Sequence, residues 1–133
     1  MSCKHFLALA LFFVTILPPP ASAQAGQWVE LGCRDVDLNL DRDVIRVGRR
    51  DGRFSAVRLR ASGNAVQVLD LKVVYANGNA DDIPVKARIG EGKTSGALDL
   101  RGADRAIDRF EMIYARVPNA RGRARICVEG RAA

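Results

Sequence analysis

The chain has 133 residues, 48% of them hydrophobic, 27% charged and 6% aromatic, and carries a formal net charge of +6. That is enough apolar material for one globular domain. It excludes a multidomain enzyme, a polytopic membrane protein and a disordered tail.

Lys4 and His5 form a short basic start, and Phe6 to Leu17 is apolar apart from Thr15. Pro18-Pro19-Pro20 breaks the run, and Ala21-Ser22-Ala23 follows. A basic start, an apolar stretch of about a dozen residues and a small-x-small exit predict a secretory signal peptide over 1–23, cleaved after Ala23. The stretch is shorter than the roughly 20 residues that span a bilayer, so no transmembrane segment is expected after cleavage. The mature chain, 24–133, is expected to be one domain in the periplasm or outside the cell.

Cleavage removes Lys4, the lone His5 and Cys3, leaving a net charge of +5, no histidine, and Cys33 and Cys127. Without histidine there is no Ser-His-Asp triad, no Cys-His pair and no His-ligated zinc or haem. Two cysteines cannot build a four-thiolate zinc site, so no metal or other cofactor is expected. A pair of cysteines in an exported chain predicts a Cys33–Cys127 disulfide. Their separation of 94 positions, without a Cys-x-x-Cys motif, argues against a redox pair.

The mature chain then reads as strands and turns. Trp28 to Cys33 is a short apolar-rich run. Val36, Leu38 and Leu40 alternate with Asp35, Asp37 and Asn39, the period of a half-buried strand. Val44, Ile45 and Val47 form a next strand, and Asp51-Gly52 predicts a tight hairpin back into Phe54 to Leu59. Val66 to Tyr75 is the longest strand; its apolar parity changes near Leu69-Asp70, which predicts a bulge or burial on both faces. Asn77-Gly78-Asn79 is a turn. Ile83 to Ile89 reads as a strand starting beside Pro84, as at a sheet edge. Ala97 to Leu100, Ile107 to Val117 and Ala124 to Glu129 complete the set; Ala103 to Ile107 has room for one helical turn. Short strands at roughly 8–12-residue spacing predict an all-β fold, an antiparallel β-sandwich of about eight strands, with a small β-barrel as the alternative.

The order of several motifs carries a resemblance. Trp28-Val29-Glu30-Leu31-Gly32 is followed by Asp41-Arg42-Asp43-Val44-Ile45, Phe54 and Val57-Arg58-Leu59. Then come Val73-Val74-Tyr75-Ala76-Asn77-Gly78, Leu98-Asp99-Leu100-Arg101-Gly102, Arg105-Ala106-Ile107 and Tyr114. Together they resemble a family of small exported bacterial proteins classed as a domain of unknown function. The resemblance covers most of the mature chain and implies an all-β, sandwich-like exported domain. It supplies no catalytic or binding residue. Cys33 and Cys127 are not part of it, so the disulfide rests on parity and compartment.

Asp35, Asp37, Asn39, Asp41 and Asp43 occupy alternate positions, and the first three match the start of an EF-hand loop. Leu40 then stands where the loop needs glycine, and Arg46 where it needs glutamate, so a solvated strand face is expected instead of a calcium site. Arginine dominates the charge, with 17 Arg to 4 Lys. Arg49, Arg50 and Arg53 flank the expected hairpin, and guanidinium forks suit carboxylate and phosphate groups. These three are the candidate anion-binding residues; Asp51 in the same turn opposes them. Arg121, Arg123 and Arg125 share one parity of the last strand. Interleaved stacking aromatics are absent, so nucleic acid is not the expected partner. Trp28 and Tyr75 are expected in the core, with sugar stacking as their other use. The expectation is a non-catalytic envelope module with an anionic or carbohydrate partner. The alternative is a small carboxylate-based hydrolase.

Overall fold

A computed structural model describes residues 10–14, 24–37, 41–47, 52–115 and 122–133. Nine strands form in it: β1 Trp28–Asp37, β2 Asp41–Arg46, β3 Phe54–Ser62, β4 Val66–Tyr75, β5 Ala80–Ile83, β6 Ala87–Ile89, β7 Leu98–Asp99, β8 Ile107–Ala115 and β9 Arg123–Ala132. Among the described residues there is no α-helix; Ala103 to Ile107 runs from a turn directly into β8.

One antiparallel sheet has the order β1-β9-β3-β7, and the other β2-β8-β4-β5, with β6 also on β4. They pack as a sandwich, as the alternating pattern predicts. Leu59, Ala61, Ile126 and Val128 from the first sheet share a core with Leu71, Val73, Phe110 and Met112 from the second, all fully buried. Removing this apolar surface from water is the main drive to fold. Gly130 makes the closest approach: a Cβ there would lie 2.6 Å from Phe54 Cδ1 and 2.9 Å from Leu31 Cδ1.

The parity change in β4 is a bulge, with the β4–β8 register shifting between Val68 and Asp70. The Asn77-Gly78-Asn79 turn closes a β4–β5 hairpin. Tyr75 N–H donates to the Asn79 carbonyl at 2.8 Å, and Gly78 takes φ 88, a region that favours glycine.

Three local expectations are corrected. β2 and β3 are not a hairpin: β2 pairs with β8, while β3 pairs with β9 and β7. The chain crosses between sheets here, so Ile45 and Phe54 enter the core from opposite sides. Asp-Gly encodes a reversal, and long-range burial chooses the partner strand. The strand expected over Ile83 to Ile89 is split into β5 and β6 around Pro84 to Lys86, because proline has no N–H for the β4 ladder. Of the alternating aspartates, Asp35 and Asp43 do not share a face. Asp35 is an exposed residue of β1 paired to Arg125 at 3.1 Å, whereas Asp43 of β2 accepts the Tyr114 hydroxyl and faces Arg34 at 3.9 Å.

Candidate anion-binding surface

Every second residue of a strand faces outward, so the outer face of the β1-β9-β3-β7 sheet collects one parity of each strand. Glu30 and Glu129 stand opposite each other in the β1–β9 register. Like charges so placed repel, and arginines from β3 and β9 relieve them. Arg58 donates to Glu129 Oε2 at 2.7 Å through Nε, and Arg60 reaches Glu129 at 3.5 Å and Glu30 at 3.7 Å. Glu129 is the single buried charged residue among the described ones, 7% exposed. Trp28 is on this face and not in the core: Arg58 lies 4.2 Å and Arg131 5.7 Å from its ring centroid.

Cys33 and Cys127 form the expected disulfide, 4.0 Å apart at Cα on neighbouring strands. Glu30 Oε1 lies 3.3 Å from Cys33 Sγ, close enough for the three residues to suit a metal. Bonded sulfurs offer no thiolates, so this cluster is a disulfide beside a carboxylate.

Of the three candidate arginines, Arg49 and Arg50 lie outside the described residues, as do Ala23 and Arg121. Arg53 precedes β3 and is held by Asp104, through Nε to Oδ1 at 2.7 Å and through a terminal nitrogen to the Asp104 carbonyl at 2.8 Å. Arg125 opposes Ser62, at the far end of β3. Eight residues of strand separate these ends, about 26 Å at 3.3 Å per residue. Arg53 therefore does not converge with Arg123 and Arg125.

Arg53 instead meets two residues that the sequence did not single out. Phe54 and Arg105 exchange backbone hydrogen bonds of 2.8 and 2.9 Å, which brings the segment before β8 against the start of β3. Arg53, Arg105, Tyr75 and Asn77 then line a cavity of about 130 Å³ with Ala76 and Ala106. Arg105 lies 3.7 Å from the Tyr75 ring centroid and donates to the Arg101 carbonyl at 3.1 Å. Tyr75 is buried and donates its hydroxyl to Asp81 at 2.8 Å. Burial, then that hydrogen bond and the Asp81 charge, push its phenol up to about 12, with Arg105 pulling the other way. In the sequence Arg105 stands only in a family motif and Asn77 reads as a turn residue. Their approach to Arg53 depends on the Phe54–Arg105 bridge, which has no local sequence signal.

Two larger cavities are lined by acids. One of about 300 Å³ holds Asp81, Asp82 and Asp99 with Arg101; another of about 210 Å³ holds Asp70, Asp82 and Glu111 with Arg42 and Lys72. The carboxylate-hydrolase alternative has its best location in the first. There Asp81 is already engaged by Tyr75 and by Arg101 at 3.3 Å.

The fold and this surface define a disulfide-closed β-sandwich with arginine-rich strands and turns. The chain belongs to the DUF2541 family, a domain of unknown function, whose pattern matches residues 7–130. Among curated proteins no sequence matches it. One solved chain, from work on the structural and functional characterization of Pseudomonas aeruginosa AlgX, is similar at 20% identity with a TM-score of 0.48. The similarity covers 80% of this chain and 27% of that one, so the present chain spans about a quarter of its length.

Proposed function

We propose that the protein is an exported, non-catalytic binding module for an anionic polymer of the cell envelope. The observation that carries this reading is the spread of arginine to both ends of β3. Arg53 and Arg105 stand at one end, and Arg123 and Arg125 at the other. Sites about 26 Å apart suit an extended chain of repeating charge better than one small ligand. Arg49 and Arg50 precede Arg53 by four and three residues in the sequence. The net charge of +5 after removal of the leader favours the same partner.

Export is supported by the leader pattern and by the disulfide, which persists in oxidising compartments. Leu11, Phe12, Phe13 and Val14 of the leader are 73–87% exposed, as expected of a segment with no place in the core. A binding role is favoured over catalysis because the mature chain has no histidine and both cysteines are bonded. The small carboxylate-based hydrolase stands second, since Asp81 is committed to Tyr75 and Arg101.

The test is retention of the oxidised protein on immobilised polyphosphate, polyglutamate and a neutral glucan. Retention on the two polyanions and not on the glucan is expected. Retention on the glucan alone, lost in Trp28→Ala, would replace this reading with sugar stacking.

A further inference from the structure

We propose that the cavity between Arg53 and Arg105 is a seat for a single oxyanion, a carboxylate or phosphate group. This rests on the reading of the protein as an anion-binding module and names the point where one charged unit of the partner is gripped.

The chemistry of the lining singles this cavity out. Its six lining residues are Arg53, Tyr75, Ala76, Asn77, Arg105 and Ala106, with no carboxylate among them, whereas the two larger cavities are each lined by three acids. Arg105 has no carboxylate within ion-pair distance among the described residues. Its contacts are the Tyr75 ring and the Arg101 carbonyl. A guanidinium has five N–H donors, and the carbonyl takes one. Arg53 spends Nε and one terminal nitrogen on Asp104, leaving its other terminal nitrogen as a donor. Asn77 Oδ1 accepts from the Asn79 N–H at 3.0 Å, so its amide NH₂ is also available. Two guanidiniums and an amide donor around one opening match the acceptor set of an oxyanion.

The donors are held before any ligand arrives. The Phe54–Arg105 bridge and the bond from Ala76 N–H to the Ala106 carbonyl, 3.0 Å, fix the backbones. The Tyr75 ring supports Arg105 from below, and Asp104 restrains Arg53. Such pre-ordering lowers the entropy lost on binding. Size sets the ligand class. At about 130 Å³ the cavity is near the volume that accepts one benzene-sized group and below that of drug-sized pockets. It suits one anionic group of a longer molecule and excludes a whole sugar pair. Ala76 and Ala106 keep it open; a longer side chain at either position would fill it.

The experiment is a titration of the oxidised protein with inorganic phosphate and, separately, with acetate, followed by NMR at the Arg53 and Arg105 Nε–H and the Asn77 side-chain amide. Saturable shifts confined to these groups are expected. Phosphate alone acting would assign a phosphate-bearing partner, and acetate alone a carboxylate-bearing one. Arg105→Ala should abolish the shifts at Asn77, and Arg105→Lys should restore part of them while losing the paired-donor geometry. Ala106→Leu, which keeps every charge, should block them by filling the space. Thermal melts of each variant confirm the fold. Shifts spread evenly over exposed arginines such as Arg123 and Arg125, or no shifts at all, would overturn the proposal. Retention on the polyanion columns without shifts at this cavity would sink the seat and leave the module reading standing. Loss of both would remove both.

Discussion

Cys33 and Cys127 face each other directly across β1 and β9, so one covalent bond joins the strands that carry the two ends of the domain. The 94-residue separation makes this a long loop in the unfolded chain. Closing it removes denatured-state entropy worth about 4 kcal/mol in the loop-closure picture. Replacing both cysteines by alanine should leave the sheet order intact and lower the melting temperature by more than about 10 °C. Calorimetry with and without reductant checks this. An unchanged melting temperature would show that β1–β9 pairing needs no covalent help.

Gly130 lets the Phe54 ring pack closely against β9. A methyl there meets ring carbon at 2.6 Å and Leu31 at 2.9 Å, so neighbours must move. Gly130→Ala is expected to cost about 1–3 kcal/mol in urea unfolding, the usual range for overpacking. Gly78→Ala should cost less, about 1 kcal/mol, through its positive φ alone, since nothing lies within 4 Å of a Cβ there.

Much of this architecture is legible in the chain. The Leu69-Asp70 phase change predicts the bulge because side-chain parity is a local property. Asn77-Gly78-Asn79 predicts the β4–β5 turn for the same reason. The cysteine pairing is legible because the sequence beyond the expected leader offers one pair. Sheet membership is not. Asp51-Gly52 predicts a hairpin, yet β2 and β3 part to opposite sheets, because pairing is set by contacts with β8 and β9 more than 60 residues away in sequence. The site divides along the same line. Arg53 stands out as part of an arginine cluster, whereas Arg105 joins it through a bridge to Phe54.

Glu129 is nearly enclosed, with Arg58 at 2.6 Å and Arg60 at 3.5 Å. Glu129→Gln keeps the shape and removes the charge, leaving Arg58 without its counter-ion and Arg60 with Glu30 alone. Arg58 is 29% exposed, so water softens the penalty to about 1–3 kcal/mol. Adding Arg58→Met to Glu129→Met should recover part of the loss, because no unpaired charge is then left beside the sheet. A double-mutant cycle in urea reads the coupling, and the change in Trp28 fluorescence reports removal of the Arg58 cation from its ring.

Tyr75 gives the fold a limit in alkali. Its phenol ionises near 12 in the folded protein against an ordinary 10.0. Below pH 10 it is neutral in both states and its contribution is complete. As pH rises from 10 towards 12, the unfolded chain loses the proton first, so stability falls, by up to about 2 kcal/mol. Urea midpoints between pH 8 and 11.5 should decline in the wild type and less steeply in Tyr75→Phe. Equal slopes would place the titration elsewhere.

The claim that arginines at the start of β3 grip a polyanion is tested most directly by salt. Each guanidinium that replaces a counter-ion on a polyanion adds close to one unit to the slope of log affinity against log salt. Affinity of the oxidised protein for polyphosphate should therefore fall steeply between 50 and 500 mM salt, on the order of a hundredfold or more. Arg49, Arg50 and Arg53 replaced together by alanine should bind more weakly and lower the slope by about two to three units, with little change in melting temperature. Binding that survives high salt, or a slope unchanged in the triple variant, would contradict the account.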